Sequence, residues 1–315
     1  MGSLLGLAAF YLLQVNDSVP APVVAAAPQA PAVKLAFAGV PSSERDYFLS
    51  RVQIVPLGLD TLSLPILMYH YIRTPPSIAT DWLGYKLSVA PADFQVQMDW
   101  LSRHGYHAVD FNDIRAYFAG VQPLPNKPVV ITFDDGYADV FTSAYPILVA
   151  HKFKAVAYIV SSFVGWPGYV TVSQIRQMDG DGIEIASHTV HHPNLARSSA
   201  GSVFRELTES KQFLEQVLGH PVVDFAYPSG QFTPAVVTAV RSAGYSTAVT
   251  TFSSTNHSLA DRYTWTRVRV GAGESMEDFV HALGPVMPSI SIRVVDVEPV
   301  AAPRPVKPRL AAREA

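Results

Sequence analysis

From residue 64 to residue 270 the chain keeps repeating one pattern, a short and largely apolar run followed by a stretch of helical spacing. The runs are "LPILMYHYI" (64–72), "KPVVITF" (127–133), "KAVAYIV" (154–160), "GIEIAS" (182–187), "VVDFAYP" (222–228), "YSTAVTT" (245–251) and "WTRVRV" (265–270). Among the helical patterns, "APADFQVQMDWLSRHG" puts Phe94, Met98 and Leu101 on one face and stops at Gly105. Others fall at 138–150 and from about Ser173. A long one near 199–218 turns Val203, Leu207, Leu214, Val217 and Leu218 inward, and "TPAVVTAVRSAG" closes the series. Strands apolar on both faces, separated by helices of ten or more residues, predict an α/β fold, a parallel sheet wrapped by helices and either open or closed into a barrel. In such folds functional groups collect at the C-terminal ends of the strands.

The flanks read differently. Residues 1–18 hold the apolar stretch Leu4–Val15 with no Lys or Arg before it, as expected of a signal or membrane-anchor segment cut short at its basic end. Residues 19–44 are a Pro/Ala linker, 45–295 the folded domain, and 296–315 a disordered Pro/Ala-rich tail. This organisation predicts an extracytoplasmic protein, secreted or tethered to a membrane through its N-terminus. Charge names no partner: 23 Lys and Arg against 26 Asp and Glu give a net charge of −3, with no basic stripe for nucleic acid. The absence of cysteine excludes disulfides, thiolate ligands and a cysteine nucleophile, so any metal must be held by His, Asp or Glu.

Two polar clusters sit where the fold expects function. "TFDDG" (132–136) places Asp134 and Asp135 just past one strand, with Gly136 for the sharp exit. "SHTVHHPNL" (187–195) follows another, and a helical turn there would aim His188 and His192 the same way, leaving His191 as the spare. Two imidazoles and one carboxylate leave coordination positions open on a divalent cation, the arrangement of a catalytic site. Two adjacent carboxylates resist ionising together, and a cation lowers that cost: one aspartate binds it and its neighbour stays ionised as a proton acceptor.

"TFDDG" and "HTVHH" (188–192) resemble the first two signature motifs of the polysaccharide deacetylases, the NodB-homology or carbohydrate esterase family 4 enzymes. The resemblance spans about residues 64–282 and implies a distorted (β/α) barrel of parallel strands and outer helices. It implies Asp134 as catalytic base and Asp135, His188 and His192 as metal ligands. The metal it implies is one divalent ion, with Zn²⁺ the best fit to this donor set and Co²⁺, Ni²⁺ or Fe²⁺ also able to occupy it. The third family motif is altered. In "AYPSG" (226–230) Ala226 stands for the expected arginine and Ser229 for the expected tyrosine. The arginine that orients the base must then come from elsewhere, with Arg267 and Arg269 in "TRVRV" as candidates, while the Ser229 N–H can still serve a developing oxyanion. No Leu-x-His near the C-terminus supplies a general acid. His70, at the end of the first run, is similar in placement to the acid of the branch that deacetylates poly-β-1,6-N-acetylglucosamine. A buried histidine held by core hydrogen bonds is the competing reading. Tyr137 and Tyr227 either line a sugar cleft or pack.

The implied reaction is removal of N-acetyl groups from N-acetylglucosamine residues of a cell-surface or extracellular polysaccharide. An O-acetyl carbohydrate esterase would use the same residues. An inactive carbohydrate-binding homologue is the third reading, kept open by the missing arginine. A non-haem iron oxygenase shares the two-His, one-carboxylate set but not the alternating β/α pattern.

Overall fold

The computed structural model describes residues 61–284 in full, together with the backbone of two paired strands, Val52–Pro56 and Ile292–Asp296. The expected signal or anchor segment, the linker and the tail from residue 297 lie outside the described residues.

Eight short strands form one parallel sheet: β1 (Ile66–Tyr69), β2 (His107–Ala108), β3 (Pro128–Phe133), β4 (Ala155–Ile159), β5 (Ile183–Ser187), β6 (Asp224–Ala226), β7 (Thr247–Val249) and β8 (Val268–Arg269). Their order is β7-β6-β5-β4-β3-β1-β8, with β2 paired to β3, and every pairing is parallel. The sheet curls until its edges meet. Val249 bridges Trp265, the Thr250 N–H donates to the Trp265 carbonyl (2.8 Å), and the Arg267 N–H donates to the Phe252 carbonyl (2.7 Å). This seam gives the expected distorted barrel.

Continuous apolar runs form these strands because both faces are covered. All six residues of β3 and all five of β4 are buried. Val129, Ile131 and Phe133 join the outer core against the helices, whereas Val130 points inward with Val156, Tyr158, Ala186, Ala226 and Val249. Phe111, Ile114 and Tyr117 of helix α2 (Phe111–Phe118) close that inner core.

The other long helices are α1 (Pro91–Arg103), α3 (Tyr145–His151), α4 (Val172–Gly180), α5 (Ala200–Leu218), α6 (Pro234–Ser242) and α7 (Met276–Ala282). In α1 the buried Phe94, Met98 and Leu101 are those the periodicity predicts. The run expected as one helix over 138–150 instead opens as a π-helical turn, Val140–Ala144, before α3, whose first turn contains Pro146. Proline has no N–H to donate, which favours a break in the hydrogen-bond register at that point. Among the described residues no helix is long and apolar enough to cross a membrane.

Candidate active site

Three strands of the sheet, β1, β3 and β5, deliver their ends to one place. Along β3 the inward parity runs Val130, Thr132, Asp134, so Asp134 continues the row that faces the barrel interior and is 1% exposed. Its backbone N–H donates to the Tyr69 carbonyl at the end of β1 (3.0 Å), which sets His70 beside it. Asp135 would alternate outward. It turns back because it adopts a left-handed conformation (φ 73°) and is followed by Gly136 (φ 78°), a pair that reverses the chain within two residues.

From β5 come the two imidazoles. They converge without the helical turn expected of their spacing: residues 188–194 form an irregular loop in which Thr189 (φ 69°) and His192 (φ 57°) are left-handed. That loop is held by Glu206 of α5. Its carboxylate accepts from the N–H of Val190 (2.8 Å), the N–H of His191 (2.9 Å) and Nδ1 of His191 (2.8 Å). His191 therefore points away from the other two histidines, as expected, and has a partner of its own.

Asp135 Oδ1 lies 3.4 Å from His188 Nε2 and 3.5 Å from His192 Nε2, and one donor atom from each of the three side chains falls within 4.8 Å of the others. The set is chemically suited to a cation. The Nδ1 of His188 contacts the Ala226 carbonyl at 2.8 Å, which can only accept, so Nδ1 carries a proton and Nε2, which faces Asp135, is the nitrogen left to bind a cation in place of its own proton. Two imidazole nitrogens and a carboxylate can hold a metal ion.

Asp134 is gripped from the opposite side. Arg267 comes in from the seam, fully buried, and places Nη1 and Nη2 each 2.7 Å from one carboxylate oxygen. Nη1 also donates to Thr132 Oγ1 (3.1 Å) and Nε to the Thr250 carbonyl (2.8 Å). Burial alone would raise the Asp134 pKa, but the guanidinium's charge and paired hydrogen bonds outweigh it and hold the carboxyl well below the usual range. Asp135 is also lowered: burial opposes ionisation, and the hydrogen bond and charge of His188 overcome it. Of the two arginine candidates, Arg267 therefore occupies the place next to Asp134, whereas Arg269 is exposed.

His70 Nε2 lies 3.8 Å from Asp134 Oδ2, and Nδ1 has no hydrogen-bond partner among the described residues. Burial pushes its pKa down to about 4, with Asp134 and Asp135 opposing the shift, so the ring is neutral near pH 7. The core hydrogen bonds of the competing reading are not what holds it. Tyr137 is half-buried and stacks on Tyr71 with ring centroids 3.6 Å apart. Tyr227 is fully buried, and its hydroxyl donates to the Tyr263 carbonyl (2.9 Å); it packs in the core and does not line a cleft. Ser229 is exposed and left-handed (φ 53°) in the turn after β6.

Residues 122–248 match the polysaccharide deacetylase family pattern. YxkH of Bacillus subtilis (strain 168), named for the same family, is 30% identical over 216 residues, covering 69% of this chain and 74% of the relative. The chain belongs to the polysaccharide deacetylase family. Enzymes of this family hydrolyse N-acetyl amide bonds of polysaccharides. The structure of the Streptococcus pyogenes deacetylase PplD in complex with acetate superposes with a TM-score of 0.65 at 26% identity, covering 74% of this chain and all of that one. The poly-β-1,6-N-acetyl-D-glucosamine N-deacetylase of Escherichia coli (strain K12) is 34% identical over 134 residues, which are 37% of this chain and 20% of the much longer relative.

Proposed function

We propose that the chain is a metal-dependent hydrolase that removes N-acetyl groups from N-acetylglucosamine residues of a cell-envelope or extracellular polysaccharide, with the β-1,6-linked polymer as the favoured substrate. The observation that carries this reading is the pairing of an ionised, Arg267-clamped Asp134 with the Asp135, His188 and His192 donor set one residue away. The loss of the third-motif arginine motivated the inactive reading; Arg267 in its place supports turnover. The match to the Escherichia coli enzyme supports the choice of polymer.

Asp135, His188 and His192 would hold the metal ion, which we take to be Zn²⁺. When bound it supplies Lewis acidity to the acetyl carbonyl and to water. Asp134 orients the attacking water and takes its proton as the carbon–oxygen bond forms. Arg267 keeps that carboxylate ionised and aimed, at the expense of basicity. We assign His70, whose Nε2 lies 3.8 Å from Asp134 Oδ2, to relay that proton to the sugar nitrogen as the carbon–nitrogen bond breaks. Acetate and a free amine leave. We assign the Ser229 N–H to the developing oxyanion, a role that needs no particular side chain.

The test is an acetate-release panel with purified protein on poly-β-1,6-N-acetylglucosamine, chitin oligomers, peptidoglycan and an O-acetylated glycan, each with and without chelator. Chelator-sensitive release from the β-1,6 polymer above the others supports the proposal; release only from the O-acetylated glycan replaces it with the esterase reading.

A further inference from the structure

Trp166 is 57% exposed, and an exposed aromatic residue standing alone needs no explanation. The loop that carries it is unusual in being tightly tied. The Trp166 N–H donates to the Phe163 carbonyl (2.9 Å), the Tyr169 N–H to the Trp166 carbonyl (3.0 Å) and the Gly165 N–H to the Val170 carbonyl (2.9 Å). Gly165 (φ 84°) and Gly168 (φ 87°) take the left-handed backbone that so tight a turn requires. The same loop is fastened to the segment that follows the two aspartates: the Val170 N–H donates to the Gly136 carbonyl (3.0 Å) and the Ala138 N–H to the Gly168 carbonyl (2.9 Å).

Aromatic rings run along this connection. Tyr71, the residue after His70, stacks on Tyr137. Tyr137 meets Tyr169 at 5.2 Å, Tyr169 meets Phe163 at 4.9 Å, and Phe163 meets Trp166 at 5.4 Å. A continuous track of side chains leads from the residues beside the candidate metal ligands to an indole standing in solvent.

We infer that Trp166 is a sugar-stacking subsite, which grips a pyranose ring of the polymer away from the residue being deacetylated. The ligand class rests on the proposed function. A β-linked N-acetylglucosamine ring carries its substituents equatorially, so each face is a patch of axial C–H groups that matches an aromatic face while the hydroxyls at the rim stay hydrated. A ring held on a preorganised loop binds such a face with little ordering cost, and a side chain of this kind carries a large share of a binding energy. The attachment to Gly136 and Ala138 fixes the distance between subsite and scissile bond, which selects for oligomers over single sugars.

Binding of a β-1,6-linked N-acetylglucosamine pentasaccharide, measured by titration calorimetry on the full chain, tests this with Trp166→Phe and Trp166→Gln. Both variants fill the loop and only the first presents a ring. The Phe variant is expected within about threefold of the wild-type affinity and the Gln variant about tenfold weaker, with unchanged melting temperatures. Equal affinity in the Gln variant, an equal loss in both variants, or no binding by the wild type overturns the inference. Wild-type binding through Trp166 without any acetate release would sink the hydrolase reading and leave the subsite standing.

Discussion

Arg267 and Asp134, separated by 133 positions in sequence, meet through two parallel hydrogen bonds of 2.7 Å inside the barrel. Neither side chain is more than 2% exposed. A buried pair of this kind adds little net stability, because desolvation offsets the attraction, but removing one partner strands the other. Arg267→Ala is expected to cost about 3–5 kcal/mol of stability and to abolish acetate release. In Arg267→Ala/Asp134→Asn the stranded charge is gone, so the urea midpoint recovers in part while activity does not. Recovery of activity in the double variant would contradict the assigned role.

Asp134→Asn should separate the two carboxylates' tasks. Loss of the proposed base is expected to lower kcat by about 10²- to 10⁴-fold with zinc content unchanged, whereas Asp135→Asn should lose the zinc as well. Elemental analysis beside acetate release reads both.

Glu206 touches no candidate ligand, yet its carboxylate ties down the loop between His188 and His192 by three contacts. Glu206→Gln is expected to weaken zinc retention by about 10- to 100-fold, measured by competition with a chelator. Activity restored by excess zinc would mark Glu206 as a positioning residue; activity lost at saturating zinc would give it a further task.

Acid should destabilise the metal-free fold through buried neutral histidines. Burial lowers the pKa of His70 to about 4, and it lowers that of His257, whose Nε2 contacts the Leu64 carbonyl at 2.9 Å. In the unfolded chain both would titrate at about 6.5. Below that value the unfolded chain takes up protons that the folded chain refuses, so the stability is present above about pH 6.5 and is lost as the pH falls toward 4. His257→Gln, outside the ligand set, should flatten the slope of unfolding free energy against pH over that window. A slope unchanged by the substitution would assign the acid sensitivity to other groups.

Much of this was readable in advance, for definable reasons. Runs of residues buried on both faces mark a parallel sheet, and the strand-end rule then located Asp134, Asp135, His188 and His70 without coordinates. The spacing of His188 and His192 suggested a helical turn, but left-handed residues at 189 and 192 bring the rings together, and backbone of that kind leaves no trace when the residues are Thr and His. Arg267 and Arg269 are two apart, so alternation puts both on one face. They differ by about 7 Å along the strand, which separates the barrel interior from solvent, and depth along a strand is not encoded by alternation. Glu206 did leave a sign. It interrupts the apolar stripe of α5 between Val203 and Leu207, and a carboxylate on an inward helical face implies a buried partner.

The most direct test of the central claim is acetate release from poly-β-1,6-N-acetylglucosamine by chelator-stripped protein as zinc is returned. The stripped chain is expected to release no acetate, and release is expected to rise and level off at one zinc per chain, with no such rise in His188→Ala. Release that survives stripping, or that zinc and the other divalent ions all fail to restore, would contradict that claim.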